Sequence, residues 1–286
     1  MTAPRPAKSE FDTVAALHSP RLAALRLLGC LGFTLVMAPF QAVLLGLRAV
    51  ALSRRNARWY WRGMAVILGL RLIVRGTPAE RRPVLYVANH ISWLDIVALG
   101  AVLDGAFVAK SEVRGWPIFG WIAQLGRTVY VDRQRRSSHT QRDGLLERLT
   151  QARESLILFP EGTSHDGNLV RAFKSALLSA AAVKDRDGLP LSVQPVTIAY
   201  TRLDGMPIGR AWRPFYGWFG DTALAPHLWT MVGLGVTTVE IELHPAASLD
   251  QFGSRKALAE HCYRLIGQGL AAANAGRLPS PLEASA

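Results

Sequence analysis

His90 and Asp95 stand five positions apart, directly after the short apolar run Val84–Ala88. A histidine beside a carboxylate can take a proton from a hydroxyl, while the carboxylate holds the other ring nitrogen and stabilises the imidazolium. Spacing alone does not bring them together, because on a straight helix residues i and i+5 point about 140° apart. A turn must swing His90 back. Ser92 is a good N-cap, which would put Asp95 at N3 of the following helix and His90 just outside it. The plainer reading stays open: Asp95 caps a helix and His90 bonds the backbone.

A second group follows another apolar run. Leu156–Phe159 leads into Pro160-Glu161-Gly162-Thr163-Ser164. A glycine turn at a strand end presents backbone N–H groups to an anion or oxyanion. Glu161 is then either a functional carboxylate or a solvated turn residue. Ser164-His165-Asp166 spells the letters of a hydrolase triad, but three consecutive residues cannot converge on one substrate atom. The G-x-S-x-G elbow is also absent from this turn.

These residues need a scaffold. Strands are expected at Val84–Ala88, Ala106–Lys110, Val129–Asp132, Leu156–Phe159, Val193–Ala199 and Thr237–His244. Helices are expected at Ile91–Leu103, Ser138–Arg153, Arg171–Val183 and Leu249–Ala273, the last capped by Ser248. The alternation predicts an α/β domain, with catalytic groups in loops at strand ends.

The chain has 286 residues, 50% of them apolar, and a net charge of +12. The apolar fraction excludes a disordered chain. Two cysteines, Cys30 and Cys262, exclude a disulfide scaffold, and no C-x-x-C pair suggests zinc. The charge is concentrated: residues 1–82 hold thirteen Lys and Arg against three Asp and Glu, ten of the net twelve. The same segment contains Leu27–Leu47, 21 residues without a charge. As a helix it would measure about 31 Å, enough to cross a hydrocarbon core.

Pro39 falls in the middle of that run and is expected to kink or break the helix. Arginines flank both ends, against the one-sided pattern of a simple span. Trp59–Val74 mixes aromatic, aliphatic and Arg residues, as an interfacial helix does. The reading is a monotopic helical hairpin dipping into one leaflet, with a single span and a buried soluble helix as alternatives. Nucleic acid is excluded as a partner: no finger, RNP or helix-turn-helix pattern is present, and the arginines interleave with aliphatic runs. The expected divisions are a flexible 1–20, a membrane-associated 21–82, a catalytic 83–274 and a loose tail 275–286.

Taken together, the motifs resemble those of the lysophospholipid acyltransferase family. N-H-x4-D matches Asn89, His90 and Asp95. The second motif matches Lys110, Glu112, Pro117, Phe119, Gly120, Gly126, Asp132 and Arg133. F-P-E-G-T matches Phe159 to Thr163, and a late-strand proline matches Pro195. The resemblance implies a single glycerolipid-acyltransferase-like domain: a mixed sheet flanked by helices, preceded by the membrane-docking segment. It implies His90 and Asp95 as the catalytic pair and Lys110, Arg133, Glu161, Gly162 and Thr163 as substrate-binding residues. A backbone N–H, with Gly162 a candidate, would hold the oxyanion.

The implied reaction moves a fatty acyl group from acyl carrier protein or acyl-CoA to the free hydroxyl of a lysolipid, with no cofactor and no metal. It also implies residence at the cytoplasmic face of the inner membrane. The first acceptor expected is 1-acylglycerol-3-phosphate; lyso-ornithine lipid is the alternative. Ser164 bears on that choice. Members acting on glycerol phosphates commonly carry Arg after F-P-E-G-T, and a forked guanidinium suits a phosphate. Arg127, Arg135, Arg136 and Arg171 are the nearby residues able to compensate. The run Gly217–Asp221 through Trp229 resembles a feature of the bacterial subgroup and carries no assigned chemistry.

Overall fold

The computed structural model describes residues 17–117, 119–131, 149, 154–184 and 187–278. The Ser138–Arg153 helix, Asp132, Arg133, Arg135 and Arg136 lie outside the described residues, apart from Leu149, which is helical and buried.

The chain begins with two helices, α1 (Pro20–Gly46) and α2 (Val50–Ile67). Strand β1 (Leu70–Arg75) precedes β2 (Val84–Ala88), helix α3 (Leu94–Val102) and β3 (Ala106–Lys110). Then come α4 (Phe119–Leu125), β4 (Val129–Val131), β5 (Leu156–Leu158), β6 (Ser192–Leu203), β7 (Met206–Pro207), α5 (Leu224–Val232), β8 (Thr237–Leu243) and α6 (Arg255–Asn274).

The strands form one mixed sheet in the order β1-β8-β6-β2-β5-β3-β4, with β7 paired to β6. The β6–β8 and β6–β7 pairs are antiparallel and the others parallel. Every residue of β2 and β5 is buried. Runs such as Val-Leu-Tyr-Val-Ala and Leu-Ile-Leu are what a strand covered on both faces requires. On β6, Thr197 bonds the Ile266 carbonyl of α6 while Tyr200 reaches Asp95 of α3. Their odd spacing puts them on opposite faces, so β6 is covered by α6 on one side and the His90 region on the other.

Several expected boundaries shift, each for a local reason. Trp59–Val74 is not one helix: α2 starts earlier, ends at Ile67, and Leu70–Arg75 joins the sheet beside β8. The sheet therefore takes in residues before position 83. Arg171–Val183 is not an α-helix. The Arg171 and Lys174 N–H groups bond Glu161 and the Pro160 carbonyl, leaving a 3₁₀ segment at Ser175–Ala182. Leu249–Ala273 is divided: Ser248 and Gln251 form a capping box on a short 3₁₀ turn, and Ser254 caps α6.

The α1–α2 pair is a hairpin. The Phe33 and Tyr60 rings stack with centroids 5.8 Å apart, and Thr34 bonds the Tyr60 hydroxyl at 3.0 Å. Pro39 does not break α1, which runs unbroken to Gly46. Its ring faces outward, while Ala38 and Gln41 on the inner side are buried against the fold.

Both ends of α1 are fastened to the sheet domain. At one end the buried Arg26 guanidinium donates to the carbonyls of Val232 (3.1 Å), Leu234 (2.5 Å) and Gly235 (3.2 Å). These lie at and just beyond the C-terminal end of α5, where unpaired carbonyls and the helix dipole favour a cation. Gly69, at φ 71°, leaves the room: a Cβ there would meet Arg26 Nη2 at 2.0 Å. At the other end Gln41 Nε2 donates to the Leu125 carbonyl at 2.8 Å. Between these anchors Leu28, Leu31, Leu35, Val36 and Phe40 are exposed, as is Leu25 just before the first.

Not all the N-terminal charge is free for a surface. Arg75 pairs with Glu240, Arg82 with Asp104, and Arg62 Nε donates to the Ala101 carbonyl.

Candidate active site

His90 follows the end of β2, in the non-helical turn that precedes α3. Its Nδ1 lies 2.7 Å from Asp95 Oδ2. The swing that the spacing demanded comes from the Asp95 carboxylate itself. Oδ2 also accepts the N–H groups of Ile91 (2.6 Å) and Ser92 (2.9 Å), curling the turn around it. This shortens the expected Ile91–Leu103 helix to Leu94–Val102. Ser92 is not the N-cap: α3 starts from Trp93, and the buried Ser92 hydroxyl has no partner among the described residues. Only the carboxylate half of a capping box is present, and it belongs to Asp95.

Asp95 is fully buried. Its other oxygen, Oδ1, accepts from the Tyr200 hydroxyl at 2.6 Å. Burial and then the Asp95 charge push the Tyr200 pKa well up, so Tyr200 stays a donor. A carboxylate with donors on both oxygens is an acceptor only, so the His90 Nδ1 carries a proton and Nε2 is the basic nitrogen. The ring stacks on Phe159 with centroids 4.2 Å apart. Asn89 fixes the strand end, exchanging two 2.9 Å hydrogen bonds with the Ile198 backbone.

The Phe159–Ser164 turn is tied to the same place. Glu161 is buried, with Oε1 accepting the His90 N–H and Oε2 the Arg171 N–H, both at 2.8 Å. His165 Nε2 lies 3.2 Å from Oε2, and the His165 N–H donates to the His90 carbonyl. Glu161 thus holds two turns together, its oxygens accepting from protein donors. The Gly162 N–H closes the turn onto the Phe159 carbonyl at 3.1 Å, at φ 72°, and so is already engaged. Thr163 is exposed, and its N–H has no partner among the described residues. Lys110 is exposed at the C-terminal end of β3.

Ser164 donates its hydroxyl proton to the Trp218 carbonyl. Of the arginines able to compensate for it, Arg127 is committed to a two-pronged pair with the buried Glu154, at 2.8 and 3.1 Å. Arg171 has an exposed side chain beside the turn.

Sequence reasoning missed two supports of the site. Tyr200 lies 105 positions from Asp95, and no local pattern links them. His227 accepts the Trp93 indole N–H at 3.1 Å on Nδ1 and sits 3.0 Å from the Phe215 carbonyl on Nε2. Burial lowers its pKa, in keeping with a neutral ring that accepts at one nitrogen and donates at the other.

The acyltransferase family model matches residues 71–199, which contain both turns. A lyso-ornithine lipid O-acyltransferase of Brucella abortus is 40% identical over 85% of this chain and 92% of its own length. A 1-acyl-sn-glycerol-3-phosphate acyltransferase of Neisseria meningitidis is 31% identical over 70% of this chain and 74% of its own. In fold, the chain is similar to the crystal structure of the 1-acyl-sn-glycerophosphate (LPA) acyltransferase PlsC from Thermotoga maritima, with a TM-score of 0.53 and 22% identity over 86% of this chain and 96% of that one. The chain therefore belongs to the lysophospholipid acyltransferase family that its motifs resemble, and it is an acyltransferase.

Proposed function

We propose that the enzyme transfers a fatty acyl group from an acyl thioester, carried on acyl carrier protein or CoA, to the hydroxyl of lyso-ornithine lipid. The observation that carries the acceptor choice is Ser164. Where a phosphate-binding guanidinium would be expected, its hydroxyl is spent on the Trp218 carbonyl, and Arg127 is paired with Glu154. The relative from Brucella abortus, whose name gives that acceptor, is also more alike than the glycerol-phosphate enzyme from Neisseria. This reverses the order in which the motifs alone ranked the two acceptors.

In the proposed reaction His90 Nε2 takes the proton of the acceptor hydroxyl. The oxygen attacks the thioester carbonyl carbon, and the negative charge moves to the carbonyl oxygen. With the Gly162 N–H engaged, the exposed Thr163 N–H is the donor assigned to that oxygen. The C–S bond then breaks, and the departing sulfur takes the proton from Nε2. Asp95 holds the ring throughout and balances the imidazolium charge. Lys110 and the exposed Arg171 are assigned to the anionic parts of the substrates, and Arg133 keeps the same role as an expectation.

α1 is assigned to the cytoplasmic face of the inner membrane, lying in one leaflet. It is long and apolar enough to cross a membrane. A crossing helix would carry its ends to opposite sides of the bilayer. Both ends of α1 are instead tied to the one sheet domain, through Arg26 and Gln41, which supports the in-plane reading.

The test presents the purified enzyme with one labelled acyl thioester and, separately, lyso-ornithine lipid, lysophosphatidic acid and other lysophospholipids. Fastest turnover of lyso-ornithine lipid is expected. Preferred turnover of lysophosphatidic acid overturns the acceptor assignment.

A further inference from the structure

The Gly217–Asp221 run, which carried no chemistry in the sequence, is bonded to both site turns. The Trp218 N–H donates to the carbonyl of Ile91, the residue after His90, at 3.0 Å. Its own carbonyl receives the Ser164 hydroxyl. Both backbone polar groups of Trp218 are thus held by the two turns that build the candidate site. The indole N–H donates to the Thr222 carbonyl at 2.8 Å, which fixes the ring.

That ring meets Trp116 edge to face, with centroids 5.6 Å apart and planes at 81°. Trp116 comes from a different loop, after the 3₁₀ turn Ser111–Gly115 that follows β3. It is exposed, and Trp218 is half-buried. Packing between loops would account for a buried pair, yet this pair keeps indole surface open on a residue whose backbone is bonded to the turn that carries His90.

Indole faces carry negative potential. They attract a cation and repel a phosphate, and the preference grows where water is excluded. Asp221, in the same loop, is exposed and adds a second element favouring positive charge. The Ser164 proton, spent inside the protein, offers an anion nothing.

We propose that Trp218 and Trp116 form an aromatic subsite for the side-chain ammonium of the acceptor headgroup, with Ser164 as the residue that positions Trp218. The proposal rests on the lyso-ornithine reading and gives it a recognition element. It also assigns Ser164 a role: the serine is the fastening of an aromatic wall, not merely a missing arginine.

The test uses the full-length enzyme, one acyl thioester and two acceptors with the same acyl tail: lyso-ornithine lipid and its norvaline analogue, which lacks only the ammonium. With the native enzyme the norvaline acceptor is expected to show a KM about 2- to 30-fold higher, the range a cation–π contact supports. Trp218→Leu is expected to raise the KM for lyso-ornithine lipid by a similar factor, leave kcat and the norvaline KM unchanged, and so erase the discrimination. Ser164→Ala should do the same more weakly. Trp218→Phe, which keeps an aromatic face, should retain part of it, and it serves if the leucine variant does not fold.

Equal KM values for the two acceptors with the native enzyme overturn the subsite, as does an equal loss on both acceptors in Trp218→Leu. Failure of the native enzyme to acylate either one, with turnover of lysophosphatidic acid, overturns the acceptor reading instead.

Discussion

The α1–α2 hairpin and the His90 region place their polar and apolar side chains in opposite ways. Around His90 a group of polar residues is buried: Asn89, Asp95, Glu161, Ser164 and His165. Nearly every donor and acceptor there has a named partner, as burial of such groups demands. On α1 the exposed residues include Leu25, Leu28, Leu31, Leu35, Val36 and Phe40, while Arg26 of the same helix is buried against the fold. A patch of that kind marks an interaction surface in a soluble environment and an ordinary one in lipid. The proposed function gives each region its medium: a polar cage assigned to proton transfer, and an apolar ridge assigned to a bilayer.

The sharpest way to break the comparison is at His90. His90→Ala removes the proposed base, and turnover is expected to fall about 10²- to 10⁴-fold. Thiol release from the acyl donor measures it, and circular dichroism should show an unchanged fold. Undiminished turnover would remove His90 from the mechanism. Asp95→Asn should also lower turnover, by disturbing the proton on Nδ1.

A smaller effect is expected at the buried charge that belongs to the hairpin. Arg26→Met keeps the length of the side chain but leaves the carbonyls of Val232, Leu234 and Gly235 without their donor. A loss of about 1.5 to 3 kcal/mol in denaturant unfolding is expected, the range for hydrogen bonds to a charged group. No loss would mean that α1 is held by its apolar contacts alone.

The smallest effect on stability belongs to the ridge. Leu28→Ser with Leu35→Ser alters two exposed side chains and should change unfolding by no more than about 0.5 kcal/mol. Sedimentation with anionic vesicles should nevertheless fall clearly, because burial of each leucine in lipid is worth about 1.5 to 3 kcal/mol. Unchanged vesicle binding would separate the ridge from the membrane.

Much of the site was legible because its motifs are local. His90 and Asp95 lie five positions apart, and the strand–turn–helix signals around them are strong. The Phe159–Thr163 turn was read the same way. The role of Glu161 was not, since nothing local tells a turn carboxylate facing solvent from one bonded to the His90 N–H, 71 positions away. Boundaries failed where a side chain outcompeted the helix for backbone groups, as Asp95 does at Ile91 and Ser92 and Glu161 does at Arg171.

The sequence by itself determined the chemistry available: a His–Asp pair, a glycine turn at a strand end, a basic and apolar leading segment, and the family that owns those motifs. Tertiary structure decided what each group is free to do. It spent the Gly162 N–H on Phe159, Arg127 on Glu154, Ser164 on Trp218 and Arg26 on the end of α5. The physical reason is that a hydrogen bond depends on distance and direction in space. The partners of these groups, other than Phe159, lie 27 to 209 residues away along the chain.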